Sequence, residues 1–486
     1  MPAADALSAA AAQAARPGGL LQRVAGYSAM RASAEGLLGL RGILLATLLG
    51  PAAFGSWALL RLGTRYAALG GLGVFRGLEV ELLQPGDRHV EAGSRERAPG
   101  AALGFVLMVS GALAAGALVW SALTVSPTHR LVLQGFAAAV IAESAYGYAL
   151  VATRVGTTLR RYALLEAGTA GLHLVLGVAM ARAFGLAGAF AALALSAAVG
   201  VAVASRWVEL RPRIDPAAVR RMLGVGIPVA LTGLAGTLLL TADRWVVAVW
   251  GGQELLGYYA FGGALASAGA ALALAVRTVV FPEVYGHARL SGAAPALQRH
   301  LERSLMPFAT LVPPVLGAVG AAVGPMVDLI APQYAPAVAP ARLFLLGGAA
   351  MGLVNLAAVG AVATGRQALL PGYAASALAL NLALAVLALL AGAGLEGAAA
   401  ASLTSYVLFA GAVLRLNARL SGILQPERLA LRALRPVVWS AGAVVVAGHA
   451  AAALRQDGLA LLIYLFLVLP LVPRCLGEWR RLRGER

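Results

Sequence analysis

Apolar segments of about 20 residues follow one another along most of the chain, and several carry arginine inside them. That length is what the roughly 30 Å hydrocarbon core of a bilayer asks of a helix. An arginine at the bilayer centre costs roughly 2.5–3.5 kcal/mol on the insertion scale, so it normally faces a bundle interior or a water-filled space. Arg31, Arg41, Arg61, Arg65, Arg244 and Arg277 all sit in or at the ends of such segments. The first expectation is therefore a membrane protein with a cationic internal path.

Composition agrees, with 60% hydrophobic and 12% charged residues; soluble domains carry about 25% charged residues. The net charge of +17 would suggest nucleic acid for a soluble protein. Here its location matters more than its size, and no nucleic-acid partner is expected. All 38 basic residues are arginine. Cys475 is the single cysteine and the six histidines are scattered, so no disulfide framework, metal site or cofactor is expected. Met1 to Gly19 lack a charged stretch followed by a long apolar one, which reads as a tail rather than a cleaved signal peptide.

Counting apolar runs predicts about fourteen helices. They fall near 25–50, 55–76, 101–123, 131–153, 162–182, 186–206, 223–250, 256–281, 303–331, 338–362, 368–391, 394–414, 434–454 and 459–477. Twenty-eight arginines then lie on one side, whereas the opposite loops hold only Arg130, Arg182 and Arg455. The positive-inside rule puts both termini in the cytoplasm of a multi-pass protein. The longest connection, Arg76 to Gly100, falls on that side and is of mixed charge.

The chain echoes itself. Leu49-Gly50-Pro51-Ala52-Ala53-Phe54-Gly55-Ser56-Trp57-Ala58 is matched by Trp250-Gly251-Gly252-Gln253-Glu254-Leu255-Leu256-Gly257-Tyr258-Tyr259-Ala260, with Gly55 and Gly257 202 positions apart. Gly185-Leu186-Ala187-Gly188-Ala189 is matched by Gly394-Leu395-Glu396-Gly397-Ala398 at an offset of 209. Parallel repeats of this kind are a transporter device, with substrate held between the halves near the midplane. The expected organisation is all-α: a tail over 1–24, six-helix lobes over 25–210 and 211–418, and over 419–486 an appended helix pair with a basic tail.

At these residues the chain resembles the multidrug/oligosaccharidyl-lipid/polysaccharide superfamily, and more closely its polysaccharide-biosynthesis branch of O-antigen-type flippases. The marks are Leu49-Gly50-Pro51 with Phe54-Gly55, Gly226-Ile227-Pro228, Asp243-Arg244, Gly257-Tyr258-Tyr259-Ala260, Phe281-Pro282 and Gly394-Leu395 with Gly397-Ala398. The likeness spans roughly residues 20–420. It implies two lobes around a cavity that opens alternately to either side. It also implies a lipid-linked (polyprenyl-pyrophosphate) oligosaccharide as substrate, moved to the outer leaflet of the bacterial cytoplasmic membrane without any enzymatic step. Membrane lipids and other polysaccharide-assembly proteins are the implied partners. Asn381 stands where that family carries a helix-eleven asparagine.

Compensating a pyrophosphate in a low-dielectric cavity suits arginine, whose planar fork binds phosphate bidentately and stays charged. Trp57, Arg61 and Arg65 recur every four residues and share one helix face, which reads as a surface for sugar and phosphate. The alternative is that Arg61 pairs with a structural carboxylate and Trp57 anchors at the interface. Arg41 lies deeper without a local partner and is a cavity candidate. Arg31 and Glu35 are spaced for an intrahelical salt bridge, a gate brace. Asp243 and Arg244 point about 100° apart on a helix. The resemblance implies that both face the lobe interface, with Asp243 balancing an arginine of the other lobe; a conventional ion pair is the alternative. Arg277 either lines the cavity or snorkels.

Glu143 with Tyr146, and Tyr162, Glu166, Thr169 and His173, are candidates for ion coupling or for hydrogen-bonding glue between helices. Asn355 and Asn381 read as glue. Pro307, Pro313, Pro314 and Pro325 make helix nine a candidate bending element for lobe motion, with ordinary irregular packing as the default. Two rivals remain: a multidrug or cation exporter of the same superfamily, whose cavity should be rich in carboxylates and aromatics, and a membrane enzyme of polysaccharide assembly, which should show large external loops or a catalytic His/Asp pair.

Overall fold

A computed structural model describes residues 17–483 apart from 70, 72, 84–91, 292–297, 299, 455 and 457. Within that range the side chains of 17–29, 31–32, 68–69, 83, 92–96, 228–229, 232–233, 267–291, 363 and 482–483 lie outside the description. The helices are α1 (Pro17–Leu69), α2 (Val74–Leu83), α3 (Ala92–Leu123), α4 (Pro127–Gly156), α5 (Leu159–Ala204), α6 (Pro216–Leu239) and α7 (Ala242–Ser291). They continue with α8 (Met306–Ile330), α9 (Val338–Ala363), α10 (Leu370–Leu390), α11 (Gly394–Leu420), α12 (Pro426–Ala453), α13 (Leu459–Val468) and α14 (Val472–Arg483). No strand occurs among the described residues.

A straight helix of 53 residues would be about 80 Å long, far beyond a membrane core of roughly 30 Å. α1 has that many residues and turns at Gly50, where φ is 74° and ψ 169°. A residue without a Cβ takes that φ at little cost, and Pro51 then starts the return, where its missing N–H is not needed. α7, with 50 residues, repeats the device at Gly252 (φ 71°, ψ −168°). α5, with 46 residues, turns at Gly185. The glycine echoes of the sequence are thus tight turns between paired helices. Three other starts are capped: Ser126 accepts from the His129 amide, Thr158 from Arg161 and Asp215 from Ala218, with Pro127 and Pro216 in the first turns.

Among the described residues ten helices are long and apolar enough to cross a membrane, and two of them, α1 and α5, each enclose a turn. Three predicted spans differ in outline. The one placed at 55–76 stops at Leu69, and α2 then occupies the start of what was read as a loop from Arg76 to Gly100, with α3 occupying its end. The one placed at 223–250 is broken at Leu240–Thr241 between α6 and α7. The one placed at 459–477 is interrupted by a 3-10 turn at Leu469–Leu471 around Pro470. Apolarity reports which residues tolerate lipid; it does not report where backbone N–H groups are lost or capped. In α8, Pro313, Pro314 and Pro325 lie inside one continuous helix, and Pro307 follows a π-turn at Leu301–Leu305 that runs into it without a break. The Thr310 carbonyl, which Pro314 cannot serve, accepts from Cys475 Sγ at 3.5 Å.

α9 is the most enclosed span, packed between α7, α11 and α8, and the main apolar core runs from α1 through α7 to α11. α1 and α7 meet through the echoed motifs. A Cβ on Gly55 would collide with the Gln253 carbonyl, and one on Gly257 with the Pro51 carbonyl. Both contacts are the same contact seen from each side of a pseudo-two-fold axis, since 51 and 253 are as far apart as 55 and 257. Ser56 Oγ donates to Gln253 Oε1 at 2.9 Å across it. Tyr334 bonds the Ala46 carbonyl at 2.9 Å and packs on Phe54, Tyr258 and Phe261. On the arginine-rich side, Gly73 faces Gly226 and Gly77 faces Met222, backbone to backbone, where α2 meets α6.

Candidate functional site

Two buried polar hubs lie beside the α1–α7 seam, one built on each glycine turn. In the first, Arg41 is 5% exposed and its guanidinium carbon stands 5.1 Å from the centre of the Trp57 ring. A straight helix would hold residues sixteen apart about 24 Å from each other, so the turn at Gly50 makes this contact. The Arg41 chain lies against Gly177 of α5. Its Nε is buried and has no hydrogen-bond partner. Trp57 is itself buried and stacks on Phe54, with centroids 5.3 Å apart, so the interfacial-anchor alternative does not hold.

One turn after Trp57, Arg61 Nη1 lies 3.4 Å from Glu143 Oε1 of α4. His173 Nε2 of α5 lies 3.8 Å from the same oxygen. Strong charge-assisted bonds run about 2.7–2.9 Å, so Glu143 is shared loosely and saturates neither neighbour. Arg41, Arg61, Glu143 and His173 form one electrostatic neighbourhood, with two guanidiniums to one carboxylate. Glu166 lies half-buried on the same helix as His173 and interacts with Tyr146, whose hydroxyl also meets Thr169.

A further turn along, Arg65 is exposed and has Arg244, Arg61, Glu35 and Tyr66 as electrostatic neighbours. Glu35 thus faces Arg65 of the returning helix; the side chain of Arg31, its expected intrahelical partner, is outside the described residues, as is that of Arg277. Tyr66 shares a 2.7 Å hydrogen bond with Thr241 and stacks on Trp245. The Arg244 guanidinium rests against Gly263. Arg61, Arg65 and Arg244 therefore come together from both halves of the chain.

The second hub surrounds the break between α6 and α7. Asp243 is 1% exposed. It accepts from the Tyr259 hydroxyl at 2.8 Å, the Ser402 hydroxyl at 2.8 Å and the Arg244 amide at 2.9 Å. The Leu239 carbonyl, freed where α6 ends, accepts from Asn381 Nδ2 at 3.2 Å and from Tyr406 at 3.1 Å. Ser402 also bonds Asn381 Oδ1 at 3.3 Å. The expectation that Asp243 balances an arginine of the other lobe meets a different geometry: its oxygens are taken up by hydroxyls of its own half and by the next amide. Asn381 is glue, as read from the sequence.

The two hubs correspond. Arg41 and Trp57 stand 202 positions before Asp243 and Tyr259, the offset of the first echo, and His173 stands 208 before Asn381, close to that of the second. Ser402 and Tyr406 escaped the sequence reading because hydroxyls in an apolar helix carry no charge signal; Tyr259 was read only within the echoed motif, and the offset itself could have made it the partner of Asp243. Arg342 of α9 also escaped it. Its Nε bonds the Gly320 carbonyl at 3.3 Å and its guanidinium lies against Gly448, tying α8, α9 and α12 together.

This is a multi-pass membrane protein with the fold of MATE-type transporters. It aligns with the outward-facing structure of a multidrug resistance MATE family transporter of the MOP superfamily at TM-score 0.51 and 15% identity, covering 83% of this chain and 96% of that one. It aligns with a MATE structure in complex with MaL6 at 0.55 and 15%, covering 82% and 96%, and with one in complex with MaD3S at 0.53 and 16%, covering 82% and 96%. No curated protein matches the sequence. The chain belongs to the polysaccharide biosynthesis protein family, whose model matches residues 44–339.

Proposed function

We propose that the protein is a flippase that moves a polyprenyl-pyrophosphate-linked saccharide from the cytoplasmic to the outer leaflet of the bacterial cytoplasmic membrane, with both termini cytoplasmic. The observation that carries this reading is the unpartnered Nε of buried Arg41 within a hub where two arginines neighbour one carboxylate and only Arg61 of the two contacts it. An arginine left short of partners in a low-dielectric site is a standing demand for an anion. Arg41, Arg61, Arg65 and Arg244 receive the pyrophosphate, Trp57 offers an aromatic face beside it, and Arg277 is the remaining candidate from the second half. The lobes, 25–210 and 211–418, rock about the glycine seam, with Arg31 and Glu35 bracing the arginine-rich end. Asp243 holds the helix break that sets Arg244. Glu143, with Glu166 and His173 beside it, is where an ion or proton would couple to the cycle. No covalent bond is made or broken.

A cation exporter with this fold is the second reading. The excess of guanidinium over carboxylate disfavours it, because like charges raise the cost of bringing a cation in. Proteoliposomes given a fluorescent undecaprenyl-pyrophosphate oligosaccharide separate the two. Wild type is expected to deliver the head group to the opposite leaflet, and the folded Arg61→Ala/Arg65→Ala variant to lose at least about tenfold in rate, the effect of 1.4 kcal/mol. No acceleration by wild type over empty vesicles, together with export of a cationic dye, would put the exporter reading in its place.

A further inference from the structure

We infer that the arginine-rich end of the C-terminal helices is a binding site for one anionic phospholipid, its head group held by Arg432, Arg435 and Arg474 and one acyl chain laid between α11 and α12. A pocket of about 520 Å³ lies between α8, α12 and α14, and its lining includes Arg432, Arg435, Arg474, Arg481 and Glu478. Glu478 is engaged by Arg481 at 3.3 Å. Among the described residues no carboxylate pairs with Arg432, Arg435 or Arg474. Three guanidiniums thus converge on a concave space without a counter-ion.

The same Arg435 and Leu431 also line a groove of about 820 Å³ between α11 and α12. Its walls are Leu408, Leu434, Val438, Trp439 and Val446, with Gly411 and Gly442 leaving room along it. From Leu431 to Val446 the groove follows α12 for about 22 Å, more than the half-thickness of a roughly 30 Å core. Trp439 is pinned there by an Nε1–H bond to the Leu467 carbonyl at 2.9 Å. A phosphate-sized cationic pocket opening into an apolar channel of acyl length matches a phospholipid in both halves. Basic pockets between helices on the cytoplasmic side are known to take anionic head groups, and the positive-inside rule puts this end there. α12 and α14 contribute nothing to either polar hub, so the inference does not depend on the transport reading.

Trp439 supplies the readout. The full-length protein in neutral detergent is titrated with phosphatidylglycerol brominated on its acyl chains, and tryptophan quenching is followed. Of the seven tryptophans, Trp439 should supply a saturable component of the quenching, which is lost in the Trp439→Phe variant and at least tenfold weaker with brominated phosphatidylcholine. Arg432→Gln/Arg435→Gln/Arg474→Gln should weaken binding about a hundredfold, at roughly a fivefold loss for each arginine near a membrane surface. Gly442→Leu, which fills the groove and leaves the arginines alone, should abolish the saturable Trp439 component and decides the matter if the triple variant does not fold. Equal binding of the two lipids, or a triple variant that binds like wild type, overturns the proposal. So does displacement by inorganic phosphate at equal concentration, which would mean an anion pocket alone. Displacement by undecaprenyl phosphate at a tenth of the lipid concentration overturns it as well, by assigning the site to a polyprenyl chain.

Discussion

The Arg41–Trp57 hub and the Asp243–Tyr259 hub occupy equivalent places in the two repeats and carry opposite charge. Both are made by a glycine turn that brings a charged residue against an aromatic sixteen positions later. Their bonding differs sharply. Every oxygen of Asp243 is met by a hydroxyl or an amide, and the broken helix beside it has its carbonyl served by Asn381 and Tyr406. Arg41 has a π face, a glycine and an idle Nε. A fully satisfied buried charge is a structural element, because water could add nothing to it. An undersatisfied one costs stability and persists where a ligand completes it. On the proposed function, the second half supplies the scaffold and the first the anion site.

The largest expected effect is on the satisfied hub. Asp243→Ala removes the acceptor of the Tyr259 and Ser402 hydroxyls and of the Arg244 amide, and since each bond to a charged group contributes roughly 1.5–3 kcal/mol, we expect a loss of about 3 kcal/mol or more, seen as a fall in thermal stability and in monodisperse yield. Next comes the seam. Gly55→Ala and Gly257→Ala press a methyl into equivalent carbonyls, and overpacking costs typically about 1–3 kcal/mol. The two variants should be destabilised alike, and a large inequality would break the pseudo-symmetry. Glu143→Gln should cost less, about 1 kcal/mol, because its contacts to Arg61 and His173 are long, and it should raise affinity for an anionic ligand by removing the competing carboxylate. Smallest is Trp57→Phe, which keeps a weaker π face for Arg41 and should cost under about 1 kcal/mol, measured by the same melting curve.

Much of the fold could be read without coordinates. Runs of apolar residues placed most helices, and the Gly50 and Gly252 echo located the turns and the seam, because only a backbone without Cβ accepts those angles and that contact. What stayed hidden depends on partners distant in sequence. The helix break at Leu240–Thr241 is invisible in hydropathy, since Ser402, Asn381 and Tyr406, which sustain it, lie about 140 to 167 positions away. Pro470 was visible, yet the apolar run around it outweighed its effect on the backbone. For the candidate site, Arg41, Arg61 and Trp57 were legible as charges and an aromatic inside spans. The reversal of roles between Arg41 and Asp243 was not, because charge alone does not tell a satisfied group from an idle one.

The most direct measurement is a pair of melting curves, with and without an undecaprenyl-pyrophosphate saccharide, for wild type, Arg41→Ala and Asp243→Asn. Arg41→Ala should melt at or above the wild-type temperature without ligand, since losing an incompletely paired buried charge is often neutral or stabilising, and should lose the ligand-induced rise. Asp243→Asn should melt lower and keep the full rise. The account is contradicted if Arg41→Ala keeps the rise, or if Asp243→Asn loses it while melting like wild type.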